Sequence, residues 1–153
     1  MPYVKRDVSG AVLASADVPQ VGLGITEWVD EMPATLTELK LLRAADITAA
    51  SLAAIEAGFE FAGHRYDSDL ISRTNIIGTA TGVQAGIALP EGFTWRTSEN
   101  QNVPMDGAGV IALGAALLQH VNQQYAVSWQ LKAEIKAATT AEDVAAITWP
   151  TAV

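Results

Sequence analysis

The side chains whose types could support catalysis lie close together, between residues 60 and 69. His64, Asp67 and Ser68 supply a base, a carboxylate and a hydroxyl, which are the groups of a nucleophilic triad. Neighbours in one turn do not place nucleophile, base and orienting carboxylate in line, and the chain contains no G-x-S-x-G motif. The segment therefore predicts no hydrolytic triad.

The carboxylates Glu60, Asp67 and Asp69 raise a second possibility, the acid pair of a glycoside hydrolase. Helix N-capping is the simpler interpretation, because a carboxylate just before a helical run accepts hydrogen bonds from free N–H groups and interacts favourably with the helix dipole. A calcium loop would also need a glycine and a distal glutamate, which the run Asp67-Ser68-Asp69 lacks. We expect these residues to cap a helix.

The remaining candidates for chemistry are two histidines and two glycine clusters. His64 and His120 each lack a second ligand at metal-binding spacing, so we expect structural roles for both. The sequence has no cysteine, which excludes thiolate metal sites and a cysteine nucleophile. The clusters at residues 22–24 and 107–109 lack the spacing of a dinucleotide-binding turn. We therefore predict a protein that is not an enzyme, with no catalytic residue, cofactor or metal.

Length and charge narrow the class of protein further. The chain has 153 residues, half of them hydrophobic, which is enough for one domain with a core. Nine Lys and Arg residues within a net charge of −8 cannot form a basic stripe, so we expect no nucleic acid partner. No uninterrupted apolar run reaches the ~18 residues of a membrane span, and the charged N-terminus does not resemble a signal peptide. We expect synthesis in the cytoplasm and no membrane insertion.

The N-terminal elements form a small arm. Residues 3–7 and 11–16 flank Ser9-Gly10, a dipeptide suited to a tight turn, and predict a hairpin. The segment that follows mixes Pro and Gly with one bulky side chain, Trp28, as expected for an irregular connection. Among the four tryptophans, Trp28 and Trp149 are expected to be the most exposed. We predict an arm at residues 1–33 and a core domain at residues 34–153.

Two helical segments open the core. Thr35-Leu36-Thr37-Glu38 has the T-x-x-E spacing of a capping box. After Asp46, the pattern predicts a helix with Ile47, Leu52 and Ile55 inward and Gly58 as its stop. The two segments are either separate helices or one helix broken near Asp46.

Two hairpins and a long helix complete the core. Alternating aromatic runs predict hairpins at residues 59–67 and 93–105 that form one small antiparallel sheet. Between them lies a helix capped by Asp67 or Ser68. Its glycines recur every fourth residue and predict close backbone contact, more often with a helix of the same fold than with another subunit. These glycines are Gly78, Gly82 and Gly86.

The last long helix begins after Asp106 and packs on the sheet, with Trp95 buried at the junction. Its inward stripe is Val110, Leu113, Leu117, Val121, Gln124, Ser128, Leu131 and Ile135. Roughly thirty residues would span about 45 Å, so part of the helix should project or meet a partner. The predicted class is α+β, with a sheet on a long C-terminal helix and a separate N-terminal hairpin arm.

Several aromatic runs resemble a family of unknown function found in tail and tail-fibre gene modules of tailed bacteriophages. The similarity covers roughly residues 46 to 149, and the N-terminus is similar to the hairpin of small tail-fibre-associated proteins. The matching residues are Phe59, Phe61, Gly63, Tyr66, Ser68, Asp69, Trp95, Arg96, Thr97, Asn100, Ile147 and Trp149.

The resemblance implies a non-enzymatic structural component of a bacteriophage tail, located in the virion after synthesis in the host cytoplasm. The alternative is a transient tail-fibre assembly chaperone that is absent from the virion. The partner would be a tail-fibre or tail-tip protein, or a second copy of the chain. A two-stranded hairpin alone is marginal in water, so we expect the arm to dock on that partner. The predicted contact residues are Tyr3, Val4, Val12, Leu13 and Trp28.

Overall fold

Short antiparallel hairpins alternate with α-helices along the chain, which confirms the α+β class. The computed structural model describes residues 3–8, 10, 12–29 and 34–150. The elements in these ranges are β1 (Tyr3–Arg6), β2 (Val12–Ala16), a 3-10 turn (Val21–Leu23), β3 (Glu27–Trp28), α1 (Leu36–Glu56), β4 (Phe59–Phe61), β5 (His64–Tyr66), α2 (Leu70–Gln84), β6 (Thr94–Arg96), β7 (Asn102–Pro104), α3 (Gly107–Ala137) and α4 (Ala141–Ala146).

The elements belong to two compact units. Unit 1 takes residues up to Ala49 and from Ser128 onward, and unit 2 takes Ala50–Val127. Helices α1 and α3 therefore contribute residues to both units. The division into an arm at residues 1–33 and a core at residues 34–153 stays a prediction, and part of its boundary, residues 30–33, lies outside the described residues.

The N-terminal hairpin is confirmed and belongs to a three-stranded sheet in unit 1. Strand β1 lies between β2 and β3 and is antiparallel to both. The register with β2 shifts between Lys5 and Arg6, which leaves Leu13 as the extra residue of a β-bulge. Ser9 and Ala11, on which the predicted turn and the start of the second strand fall, lie outside the described residues.

The capping box predicted for α1 is confirmed. The backbone N–H of Thr35 donates to Glu38 Oε2 at 2.7 Å, and the N–H of Glu38 donates to Thr35 Oγ1 at 3.2 Å. The backbone hydrogen bond and the hydroxyl of Thr35 lower the pKa of Glu38 below its usual value. Helix α1 then runs for 21 residues without a break at Asp46, so the predicted break is wrong.

The inward face of α1 differs from the prediction at one residue. Ile47 and Ile55 are buried, at 2% and 1% exposure, whereas Leu52 is 49% exposed. The buried row is Ile47, Ser51 and Ile55, which recur every fourth residue and so lie on one side of the helix. Leu52 is one position beyond Ser51 and turns away from that row, so its inward assignment was wrong.

The core of unit 2 forms where the two hairpins pack against α2 and α3. Its buried cluster contains Phe59, Tyr66, Ile76, Leu113 and Leu117. Trp95 is half-buried and packs against this cluster, as do Phe61, Met105, Ala116 and Val121. Trp95 therefore lies at the predicted junction without being fully buried.

The two hairpins form separate two-stranded sheets, which corrects the prediction of a single sheet. Strand β4 pairs with β5, and β6 pairs with β7. Each strand has three residues and pairs only with the other strand of its own hairpin. The two hairpins are linked by Ser98, which lies in the turn between β6 and β7. The N–H of Ser98 donates to Arg65 O at 2.9 Å, and the Ser98 hydroxyl donates to Asp67 Oδ1 at 2.6 Å.

The glycine stripe predicted on α2 is also wrong. Gly86 lies beyond the end of the helix with φ of 87°, and a Cβ on Gly78 would meet nothing within 4 Å. The close approach occurs instead at glycines of α3. A Cβ on Gly107 would lie 2.9 Å from Val83, and a Cβ on Gly114 would lie 3.2 Å from Ala80. Both contacts join α3 to α2.

The inward stripe of α3 is confirmed, and so is its cap. The N–H of Gly109 donates to Asp106 Oδ1 at 2.8 Å at the start of the helix. Two tryptophans differ from the prediction, because Trp129 of α3 is 68% exposed while Trp149 is half-buried. The stripe residues buried in their own units are Val110, Leu113, Leu117, Ser128 and Ile135.

Candidate functional site

Two aromatic residues of the N-terminal sheet form a cross-strand pair. Tyr3 of β1 lies directly opposite Trp28 of β3, so both side chains lie on the same face of the sheet. Trp28 is 47% exposed, and Tyr3 is half-buried. Leu13, the bulged residue of β2, is 50% exposed. Three of the five predicted contact residues therefore reach the surface.

The other two predicted contact residues support the sheet from its opposite side. Val4 is 1% exposed and Val12 is 0% exposed. Val4 alternates with Tyr3 along β1, so its side chain points to the other face. These two valines hold the sheet in place, and their side chains are not available to a partner in this conformation.

The exposed apolar side chains of the arm form a group that we call the arm surface. Its members come from the hairpin, the loop that follows it, the 3-10 turn and β3, and each is at least 47% exposed. Single exposed apolar residues are ordinary on a protein surface, and six of them within residues 8–28 make the arm a candidate interaction site. The arm surface consists of Val8, Leu13, Val18, Val21, Leu23 and Trp28.

An ion pair joins β3 to β1 on the face of the sheet opposite the Tyr3–Trp28 pair. Arg6 Nε donates to both carboxylate oxygens of Glu27 at 2.9 Å, and Arg6 Nη1 donates to Gly10 O at 2.7 Å. Because β3 has only two residues, this side-chain contact adds a second attachment to a very short ladder. The ion pair therefore helps to fix the position of Trp28 on the sheet.

Unit 2 contains an apolar cleft of about 960 Å³. The volume and the mostly hydrophobic lining are those of a ligand-binding depression. The titratable residues that line the cleft are His64, Tyr66 and Asp106. The Asp106 carboxylate also caps α3. The main apolar lining residues are Phe61, Tyr66, Val83, Ile87, Leu89, Pro90, Phe93, Val103, Pro104 and Met105.

Tyr66 is the most buried residue of the cleft wall, with 1% of its surface exposed. Its hydroxyl has no hydrogen-bond partner among the described residues. Burial raises the pKa of the Tyr66 phenol, so this group stays neutral at physiological pH. The cleft therefore combines an apolar wall with one neutral, buried hydroxyl.

Ser68 and Asp67, two residues of the triad considered in the sequence, make hydrogen bonds that stabilise the fold. The hydroxyl of Ser68, 0% exposed, donates to Ile55 O at 2.5 Å and accepts from Gly58 N–H at 2.9 Å. Asp67 accepts from Ser98. The Ser68 bonds join the end of α1 to the segment before α2, and the Asp67 bond joins that segment to the turn between β6 and β7. They give Ser68 and Asp67 structural roles that differ from the predicted one of capping α2.

Of the residues predicted as caps, Asp69 caps α2, whereas Asp67 and Ser68 do not. Its Oδ1 accepts from the N–H groups of Ile71 and Ser72 at 2.9 and 3.2 Å. The Ser72 hydroxyl donates to Oδ2 at 2.5 Å, and these hydrogen bonds lower the pKa of Asp69. Asp69 has the extended backbone of an N-cap, whereas the two residues before it are bonded elsewhere.

The two histidines lie in different surroundings. His120 is half-buried, with Nε2 at 3.2 Å from Ile55 O and its ring stacked on Phe59 at 5.9 Å, which confirms its structural role. His64 is half-buried at the cleft. Within residues 3–8, 10, 12–29 and 34–150, no three acidic or histidine side chains gather as around a metal ion. Over the same ranges, no helix has the length and apolarity of a membrane span.

A comparison with known families identifies most of the chain. The family described as domain of unknown function (DUF4376) matches residues 38–148. The chain belongs to the DUF4376 family. No curated protein matches it, and no solved structure matches it.

The segment that matches the DUF4376 family contains one candidate site and leaves out the other. The cleft residues fall within the matched segment, and the arm surface precedes it. The sequence predicted the exposed part of the arm surface through Trp28 and Leu13, but it missed the cleft of the DUF4376 segment. The signal for the cleft was present, since the aromatic residues of both hairpins and the prolines at the second are bulky groups that short strands cannot bury completely.

Proposed function

We propose that this DUF4376 protein is a non-enzymatic structural component of a bacteriophage tail that binds a tail-fibre or tail-tip protein through the arm surface. The observation that carries the proposal is the exposure of six large apolar side chains within residues 8–28. The tail context comes from the resemblance of the aromatic runs and of the N-terminus to phage tail proteins.

The arm buries few hydrophobic residues compared with the number that it exposes. Val4, Val12 and Ile25 are its buried hydrophobic residues within the described part of the chain before Thr35. Its sheet contains strands of four, five and two residues. Covering its exposed apolar side chains would remove that surface from water and so stabilise the arm.

The chemistry of the arm surface fits a protein partner. Exposed Trp and Tyr side chains are the usual anchors of protein interfaces, because they provide large rigid contact areas. Trp28 lies directly opposite Tyr3, and its strand is attached to β1 by the Arg6–Glu27 ion pair on the other face of the sheet. A preformed aromatic anchor loses little conformational entropy on binding.

Co-purification with tail proteins of the encoding phage tests the proposal. The tagged full-length protein is expressed with each candidate fibre or tail-tip protein, and the captured partner is quantified. Substituting Leu13 and Trp28 together by Ala should reduce capture at least tenfold. The matched control is Leu52→Ala, which removes a side chain of similar exposure from α1 and should leave capture unchanged. Equal capture by all variants would contradict a role for the arm surface.

A further inference from the structure

Helix α3 carries a second row of residues on its solvent side. Ala115, Leu118, Asn122, Tyr125 and Trp129 follow one another at alternating intervals of three and four residues. This is the spacing of the contact positions in a coiled coil. All five are exposed, including Leu118 at 56%, Tyr125 at 40% and Trp129 at 68%. We call these five residues the outer row.

The outer row is distinct from the face that α3 buries in its own fold. Val110, Leu113 and Leu117 of the inner stripe are at most 2% exposed. Leu118 follows Leu117 directly and therefore lies about 100° around the helix from it. Helix α3 thus has one apolar face that is covered and another that faces solvent.

The outer row also lacks charge. Residues 107–131 contain no Asp, Glu, Lys or Arg, although the whole chain has a net charge of −8. The solvent face of a helix normally carries charged residues, whereas depletion of charge together with Tyr and Trp is typical of an interface core. A shallow groove formed by Ala115, Leu118, Gln119, Asn122 and Gln123 lies along this face.

We propose that the outer row is the interface of an antiparallel homodimer, in which it packs against the outer row of a second copy of this chain. Its side chains are small toward the N-terminal end, with Ala115 and Leu118, and large toward the C-terminal end, with Tyr125 and Trp129. An antiparallel pair centred on Asn122 sets each small residue against a large one. A parallel pair would bring the two Trp129 side chains together and leave space between the two Ala115 side chains.

Electrostatics and size agree with this occupant. Two copies with a net charge of −8 repel one another, and a face without formal charge is where they can approach with the least like-charge repulsion. Antiparallel helices also align their dipoles favourably. The outer row spans about 21 Å along α3, which corresponds to a small interface.

Sedimentation equilibrium of the full chain at about 1 to 300 µM tests whether the dimer exists. The wild-type protein should dimerise, and Leu118→Glu should weaken dimerisation at least tenfold. Leu52→Glu is the matched control, because Leu52 of α1 is similarly exposed at 49% and the substitution adds the same charge. A wild-type monomer throughout this range, or equal effects of the two substitutions, would overturn the proposal.

Disulfide cross-linking tests the orientation, since the natural chain has no cysteine to interfere. Asn122→Cys should form a covalent dimer on mild oxidation, because residue 122 of one copy lies near residue 122 of the other. Ala115→Cys should not, because its counterpart would be about 21 Å away, beyond the reach of a disulfide. Cross-linking of Ala115→Cys as efficient as that of Asn122→Cys would show a parallel pair and overturn the antiparallel arrangement.

Discussion

Tyr3 lies directly opposite Trp28 across the β1–β3 ladder, and this pair places an aromatic side chain on the exposed face of the N-terminal sheet. The opposite face of the same sheet buries Val4 and Val12 almost completely. One small sheet therefore has a face that is buried in the fold and a face whose aromatic pair reaches the surface.

The two faces of the sheet should respond differently to substitution. Trp28→Ala removes a half-exposed cross-strand partner and should lower the free energy of unfolding by less than about 1 kcal/mol. Val12→Ala removes two fully buried methyl groups and should lower it by about 2 kcal/mol. Urea denaturation monitored by circular dichroism measures both. A larger loss for Trp28→Ala than for Val12→Ala would show that Trp28 serves the core.

Two buried serines of unit 2 form a matched pair for testing hydrogen bonding. Ser68→Ala leaves the Gly58 N–H without its acceptor and should cost about 1–3 kcal/mol in the free energy of unfolding. Ser51 is also buried, at 3% exposure, but its hydroxyl has no partner among the described residues. Ser51→Ala should therefore be neutral or stabilising. Equal losses in chemical denaturation would mean that the Ser68 bonds contribute no net stability.

Replacement by Ala should change the free energy of unfolding differently at two helical glycines, Gly78 and Gly114. Gly78→Ala adds a methyl group in open space and should raise the free energy of unfolding by about 0.5–1 kcal/mol through helix propensity. Gly114→Ala places its methyl 3.2 Å from Ala80 Cβ, which offsets that gain. Thermal melts should show Gly114→Ala as the less stable variant by about 1 kcal/mol. The reverse order of stability would indicate that α2 and α3 do not approach each other closely at Gly114.

The charge of Asp69 gives a stability term that depends on pH. Hydrogen bonds from the Ser72 hydroxyl and backbone lower its pKa in the folded state, so its stabilising effect is present above the usual pKa of Asp. The effect is lost as pH falls through the lowered folded-state pKa. Asp69→Asn keeps an accepting oxygen without the charge. Its melting temperature should be below that of the wild type at pH 7, and the difference should shrink below about pH 4. A difference that stays constant over this range would exclude the charge as its cause.

Local patterns predicted the elements better than they predicted the contacts between them. The capping boxes and hairpin turns follow from residues within four positions of each other, and the Thr35–Glu38 box formed as expected. The close glycines are on α3 instead of α2, because such contacts depend on which helix faces which neighbour. Gly78 and Gly114 have the same sequence signal, and only their tertiary surroundings separate them.

The candidate sites, too, were predicted where they depend on local sequence and missed where they depend on contacts between distant residues. Trp28 and Leu13 were predicted as contact residues because an exposed arm pattern is local, while the buried positions of Val4 and Val12 depend on what covers the sheet. The cleft beside Tyr66 is assembled from residues 61–109, which meet only after the hairpins, α2 and α3 have packed. Spacing along the chain gives no direct measure of such an assembly.

Mass spectrometry of purified virions is the most direct test of the proposed tail component. The proposed function implies that a phage encodes this chain, and particles of that phage are purified on a density gradient, separated into tail and head fractions, and analysed for peptides of the chain. A structural component should be present in the tail fraction at a fixed ratio to the fibre or tail-tip protein. The account would be contradicted if the protein were abundant in infected cells and absent from the particles, and a transient assembly chaperone would then replace the structural role.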